Sequence, residues 1–344
     1  MRDQVDAVVV GGGIAGASCL YHLSQHGLSA VLLEGRSLAG GSTGRSTALI
    51  ETAYADQERV ELGLRTLGLI EVLGIDFTRC GKLLLAHDER ELDAFRAVPH
   101  PEASVLVPAQ IAEVAPELRL DGVAGALYAP GDGYLDPVLL CGVLVERSGL
   151  EARQGTEVLA IKRGDGAVTG VSTTTGEICC RAVVNAAGAW AGEVAALAGV
   201  DLDVRGYRRQ VAVLEPARDG MQLPIVVDKA LYVRSDGPER VLAGIHSEEP
   251  TEPADPDDFR ETSDAEFEEA VARLLTSRLR RAGDLRLRGG WAGLYPIAGG
   301  GRPVVGESPQ LRGFFNLAGL GGNGIQLGPA LAEDVAADVA EMLT

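Results

Sequence analysis

The segment from Val5 to Glu34 constrains this chain more than any other. An apolar run, Val5-Asp6-Ala7-Val8-Val9-Val10, leads into Gly11-Gly12-Gly13-Ile14-Ala15-Gly16 and a helical stretch to about His26. A second apolar run, Ala30 to Leu33, is closed by Glu34. The order strand, spaced glycines, helix, strand, acid is that of a dinucleotide site. Gly11 permits the tight turn, Gly13 lets the backbone approach a pyrophosphate, and Gly16 lets helix and strand pack closely. The helix N-terminus offers unpaired N–H groups and the positive end of its dipole to the phosphates. Glu34, about 20 residues on, stands where a carboxylate accepts hydrogen bonds from a ribose hydroxyl. An acid there repels a 2′-phosphate, so NADP is disfavoured and FAD or NAD remains.

The 344 residues allow a sizeable core, with two domains as the prior. A net charge of −18 argues against nucleic acid or an anionic membrane as partner. Lys82, Lys162 and Lys229 are the only lysines, so arginine carries almost all positive charge. The opening apolar run is short and followed by glycines, so it reads as a strand rather than a signal sequence. No run reaches the roughly 20 apolar residues of a membrane helix. The five cysteines (Cys19, Cys80, Cys141, Cys179, Cys180) form no CxxC pair and read as reduced thiols of a cytoplasmic protein. His22 and His26 have the i, i+4 spacing of a zinc pair, but without a third ligand nearby they read as helix packing.

Farther on, helices are expected at 56–73, 89–97, 108–115, 136–147 and 264–279. Strands are expected at 82–86, 158–162, 168–172, 181–185, 208–214, 230–234, 285–288 and 314–318. The acidic, proline-rich stretch Pro250 to Asp258 reads as an exposed loop. A second glycine-rich loop, Gly319-Leu320-Gly321-Gly322-Asn323-Gly324, precedes a long closing helix from Ile325 to Leu343. Its N-terminus should aim at something anionic near the first motif. Both ends of the chain would then build one discontinuous α/β domain, with the middle inserted as a substrate domain.

With both ends read, five ordered motifs carry a resemblance. They are Gly11-Gly12-Gly13-Ile14-Ala15-Gly16-Ala17-Ser18, Ser42-Thr43-Gly44-Arg45-Ser46, Val184-Asn185-Ala186-Ala187-Gly188-Ala189-Trp190, Trp291-Ala292-Gly293-Leu294 and Gly322-Asn323-Gly324-Ile325-Gln326. The chain resembles the FAD-dependent D-amino-acid oxidase superfamily, which includes glycine oxidase, sarcosine oxidase and D-amino-acid dehydrogenases. Within it, D-arginine-type dehydrogenases are the best match.

The resemblance implies a Rossmann-like, discontinuous FAD-binding domain (1–86, 146–205 and 285–344). A mixed-sheet α+β substrate domain (87–145 and 206–284) is implied as its insertion. It implies that Gly11, Gly13 and Gly16, with Ile14 and Ala15, hold the pyrophosphate, and that Glu34 holds the ribose beside Gly35 and Arg36. Ser42, Thr43, Arg45 and Ser46 would line the route to the flavin, and the backbone of Val158 would meet the adenine. Ala187, Gly188 and Trp190 belong to the same cofactor set. The loop Gly321, Gly322, Asn323, Gly324 and Ile325 would present N–H groups to the flavin's pyrimidine edge, where a helix N-terminus stabilises the charge that hydride transfer deposits. Relatives with covalent FAD use a cysteine in the C-terminal third or a histidine in the loop after the ribose acid. This chain has no cysteine beyond Cys180 and carries Arg45 at the histidine position, so FAD is expected to be non-covalent.

The implied chemistry is oxidation of a C–N bond of a small amino acid or amine by hydride transfer, giving an imine that hydrolyses. It rests on placing the C–H bond against the flavin, and no His/Asp catalytic cluster is needed. Relatives clamp the substrate carboxylate with two arginines. One matches Arg209; where the other follows Trp-Ala-Gly-Leu, this chain has Tyr295. Arg302 is close enough to compensate but reads as a surface turn residue. Tyr54 and Tyr232 match substrate-contacting tyrosines, and Gln326 either touches substrate or caps its helix. Lys82 falls where D-arginine-type members carry a carboxylate, so basic D-amino acids are expected to be poor substrates. The alternatives are a 2-hydroxy-acid dehydrogenase of the same fold, a flavoprotein subunit of a multi-subunit dehydrogenase, and a binding protein that has lost FAD.

Overall fold

A computed structural model describes residues 3–97, 100–217, 220–245 and 252–344. Ala7–Val10, the apolar run before the glycines, forms the third strand of a six-stranded sheet. Its strand order is 151–154, 30–34, 7–10, 182–185, 314–318 and 304–307, parallel except for the last pair. The central strands are apolar apart from Asn185 and Asn316, which hydrogen-bond to each other, because both faces are covered. Helices Ile14–Gln25 and Gly324–Leu343 cover one face, and the strands 158–164, 167–173 and 176–179 with helix Ala191–Leu197 cover the other. Val8 and Val9 are fully buried, each worth about 2 kcal/mol of transfer free energy.

The helix Ile14–Gln25 follows the glycines and packs against Pro137–Ser148 through Ile14, Ala17, Leu140 and Leu144. The closing helix Gly324–Leu343 lies along it, with the Gly324 and Gly328 backbones close enough to bring any Cβ within 4 Å of the Ile14 side chain.

The second layer is an eight-stranded mixed sheet in the order 285–298, 204–216, 240–245, 231–236, 225–228, 82–86, 125–129 and 104–106. One face is apolar. Leu83, Leu85, Val226, Val233 and Ala212 pack there with Ile111, Val271 and Leu275 of helices Pro108–Val114 and Ala265–Arg278. The other face is different. Register places Arg209 opposite Gly293, Tyr207 opposite Tyr295, Val211 opposite Gly244 and Gly244 opposite Tyr232. Val227 lies opposite Tyr232 and Leu84. With period-two alternation, Lys82, Leu84, Val227, Tyr232, Arg209 and Tyr295 therefore share one face.

Pairing and packing join elements across three of the expected boundaries. The strands 82–86 and 285–298 were placed with the nucleotide part but pair within the eight-stranded sheet. The helix Pro137–Ser148, which the expected boundary at 145/146 divides, packs on the first helix because its buried face is aliphatic. The last long strand also runs ten residues beyond its expected end. Its interior glycines conceal it: a Cβ on Gly290 would fall 2.0 Å from the Val211 carbonyl oxygen, so only glycine allows the close pairing. The first two residues of the stretch Pro250 to Asp258 lie outside the described residues. The rest is mostly exposed yet tied down, with the Ala254 N–H donating to the Gly206 carbonyl at 2.8 Å.

Candidate active site

A single cavity of about 1900 Å³ runs from the first glycine loop to the polar face of the eight-stranded sheet. At its nucleotide end, Gly11 has φ 108°, a conformation that only glycine adopts readily, and a Cβ there would lie 2.5 Å from the Ala186 carbonyl oxygen. A Cβ on Gly16 would lie 1.8 Å from the Gly11 oxygen. The Glu34 carboxylate accepts from the Gly12 N–H at 2.7 Å and from the Arg36 N–H at 2.7 Å. Thr43 Oγ1 accepts from the Ile14 N–H at 3.0 Å.

Gly35, Ser42, Ser46, Val158, Ala187 and Gly188 line the same cavity. Arg36 lies over the Trp190 ring, 4.9 Å from its centroid, and both donate to Asp257 Oδ1, at 2.5 and 3.0 Å. Arg45 pairs with Glu261 at 2.5 Å and donates to the Gly40 carbonyl. Segment 252–264 therefore reaches the nucleotide part through two acids, Asp257 and Glu261, that the sequence reading missed.

The second glycine loop closes the other side. Gly321, Gly322, Asn323, Gly324 and Ile325 all line the cavity where the closing helix begins. A Cβ on Gly322 would fall 2.5 Å from Cε2 of Tyr295, so the loop and the sheet's tyrosine meet in direct contact. Gln326 is buried; its side-chain oxygen lies 3.3 Å from the Tyr54 hydroxyl, and its Nε2 has no partner among the described residues. A cradle that tolerates no side chain, two helix N-termini and an orphaned buried amide fit an extended anionic dinucleotide.

Arg209 holds its guanidinium 5.8 Å from the Tyr295 ring centroid. Tyr232 lies over Gly244, where a Cβ would meet its ring at 2.1 Å. Burial pushes the hydroxyls of Tyr54, Tyr232 and Tyr295 above the usual phenol range, so all three remain protonated donors. Arg302 is exposed at the rim.

Lys82 has a partner that its sequence reading did not include. It is 2% exposed and pairs with Glu51 at 3.1 Å, donates to the Ala53 carbonyl at 3.2 Å and lies 4.1 Å from the Tyr54 ring centroid. Glu51, which the sequence reading did not name, offsets the charge of Lys82. Tyr54 donates to the other Glu51 oxygen at 2.8 Å. Behind this group, Asp132 accepts from the amides of Thr52 and Ala53 and from the Thr52 hydroxyl. Burial pushes its carboxyl up to about 6 against the pull of those donors and of Lys82. His22 packs beneath the closing helix, and burial lowers its pKa.

Residues 6–338 match the model of the family described as FAD dependent oxidoreductase. The chain belongs to that family. It is 28% identical to human mitochondrial sarcosine dehydrogenase over 98% of this chain but only 40% of the relative. It is 27% identical to glycine oxidase of Geobacillus kaustophilus over 96% of this chain and 91% of the relative. The crystal structure of L-proline dehydrogenase from P. horikoshii superposes with a TM-score of 0.88 at 26% identity, covering 98% of this chain and 93% of that one. The chain thus spans about two fifths of the length of the sarcosine dehydrogenase it matches. Among the described residues, no helix is long and apolar enough to cross a membrane.

Proposed function

We propose that this chain binds FAD non-covalently and oxidises the C–N bond of a small amino acid or N-methyl amino acid. One observation carries the reading: Arg209 and Tyr295 stand on one sheet face, in the same cavity as the closing helix N-terminus, with Tyr295 touching Gly322. A guanidinium there grips a substrate carboxylate, and the Tyr295 hydroxyl supplies a neutral second donor where relatives use arginine. The grip would set the substrate's α-carbon beside the second glycine loop.

FAD supplies the hydride acceptor. The protein's part is placement: Arg209 and Tyr295 fix the carboxylate, and the aliphatic Leu84 and Val227 wall the pocket beside them. The closing helix N-terminus offers positive potential at the pocket's edge. The sarcosine, glycine and proline activities named for the similar proteins all concern small amino acids, which supports this substrate class.

The test is product analysis with FAD-loaded protein and an artificial electron acceptor. Sarcosine, glycine or L-proline should yield a cyclic imine, or a 2-oxo acid or aldehyde with the released amine. Turnover of 2-hydroxy acids alone would replace this reading with the hydroxy-acid one.

A further inference from the structure

Glu51 stands directly after the strand Leu49–Ile50 and lines the cavity, where it compensates the buried Lys82 but takes no part in the dinucleotide cradle. Its surroundings show what it can still do. Lys82 and Tyr54 each occupy one of its oxygens, at 3.1 and 2.8 Å. A carboxylate has about four acceptor positions, so about two remain for a ligand. Lys82 has no such reserve: its three N–H bonds face Glu51, the Ala53 carbonyl and the Tyr54 ring. The lysine therefore holds the carboxylate in place, and of the two cavity-lining groups the carboxylate is the more open, 14% exposed against 2%.

Glu51 and Arg209 act on one tyrosine with opposite signs. Burial raises the Tyr295 hydroxyl first of all; Arg209 pulls it down and Glu51 pushes it further up. Glu51 acts on Tyr232 and Tyr54 in the same sense. The pocket thus offers a cation at Arg209 and, on the Glu51–Lys82 pair, unfilled carboxylate acceptor positions, all lining one cavity with Tyr295. A free amino acid presents the complementary pair, carboxylate and ammonium. A 2-hydroxy acid presents only the first.

We propose that Glu51, held by Lys82 and Tyr54, is the receptor for the substrate's amino group and selects amino acids over 2-hydroxy acids. The proposal rests on the function proposed above and deepens it. It concerns binding alone: the amine N–H donates to a Glu51 oxygen while the substrate carboxylate lies on Arg209. A hydrogen bond to a charged group is worth about one to two powers of ten in affinity.

The experiment uses FAD-loaded wild-type protein, Glu51→Gln, and the double variant Glu51→Gln with Lys82→Met. The double variant removes both charges, so that no buried ion is left alone and folding is kept if the single variant fails. Sarcosine, glycine and L-proline are titrated anaerobically by flavin bleaching, and glycolate by perturbation of the flavin spectrum. Both variants should show half-saturation for the amino acid roughly 10- to 100-fold higher, with a much smaller change in the limiting bleaching rate. Glycolate binding should be unchanged or tighter. Equal weakening of both ligands, or of neither, overturns the proposal while leaving the proposed function intact. Failure of all three amino acids to bleach the wild-type flavin overturns both.

Discussion

The Ile14 amide donates to Thr43 Oγ1 at 3.0 Å, joining the first turn of the nucleotide-binding helix to the loop that leads towards the substrate pocket. The helix begins at Gly13, which has no side chain to cap it, so a residue from a later loop supplies the acceptor. Thr43→Val keeps the shape and removes that acceptor. We expect a loss of about 1 kcal/mol in stability and weaker FAD retention, read by thermal unfolding and by flavin-to-protein ratio.

The same substitution, glycine to alanine, should have opposite effects at two places. At Gly16 a Cβ would sit 1.8 Å from the Gly11 oxygen, a backbone atom that cannot move aside. Gly16→Ala should purify with little or no flavin. Gly68, inside the helix Gln57–Leu73, has open space around a built Cβ. Gly68→Ala should raise stability by about 1 kcal/mol and leave flavin content unchanged. Equal flavin content in the two variants would contradict the cradle described at Gly11 and Gly16.

The first motif was legible in the sequence because its logic is local: strand, glycines, helix and acid lie within thirty-odd residues, as the dinucleotide pattern requires. The pairing of Lys82 with Glu51 was not legible. It joins the start of one strand to a residue beyond another, and only the sheet geometry brings them together. The strands 225–228 and 240–245 escaped notice because runs that short do not separate strand from helix by periodicity. Asp257 was hidden in a stretch whose acidity and prolines suggested a plain exposed loop, and Glu261 lies just beyond it. Arg209 and Tyr295 were found through motif resemblance, but that they share a face follows from the register of two long strands.

Asp132 should make stability fall with rising pH. Its carboxyl is raised by burial from 3.8 to about 6 in the folded protein. Between about pH 4 and pH 6 the unfolded chain releases this proton while the folded one retains it, so deprotonation favours unfolding. Relative to Asp132→Asn, the wild type should lose about 3 kcal/mol across that window and change little above it. Denaturant titrations of both proteins at several pH values measure the difference. A difference that grows in the opposite direction would mean that the donors from Thr52 and Ala53 outweigh burial.

Arg209→Lys keeps the charge but loses the planar fork that pairs with a carboxylate. We expect KM for the amino acid substrate to rise roughly 10- to 100-fold. Tyr295→Phe removes one neutral donor and should raise KM by a smaller factor, up to about tenfold. Steady-state kinetics on both variants gives the ranking, and a larger effect at Tyr295 would reverse the assignment of the principal carboxylate grip.

The proposed non-covalent attachment of FAD can be checked directly. Arg45 occupies the loop where some relatives carry a histidine, and its guanidinium is engaged by Glu261. Acid denaturation followed by centrifugation should leave FAD in the supernatant, and a yellow pellet would reveal a covalent bond.

The most direct test of the central claim is anaerobic reduction of the bound flavin. Sarcosine, glycine and L-proline should be compared with glycolate and 2-hydroxyglutarate on the same preparation. The account predicts that at least one of the amino acids bleaches the visible flavin absorbance and that neither hydroxy acid does. Bleaching by a hydroxy acid with no response to any amino acid would contradict it.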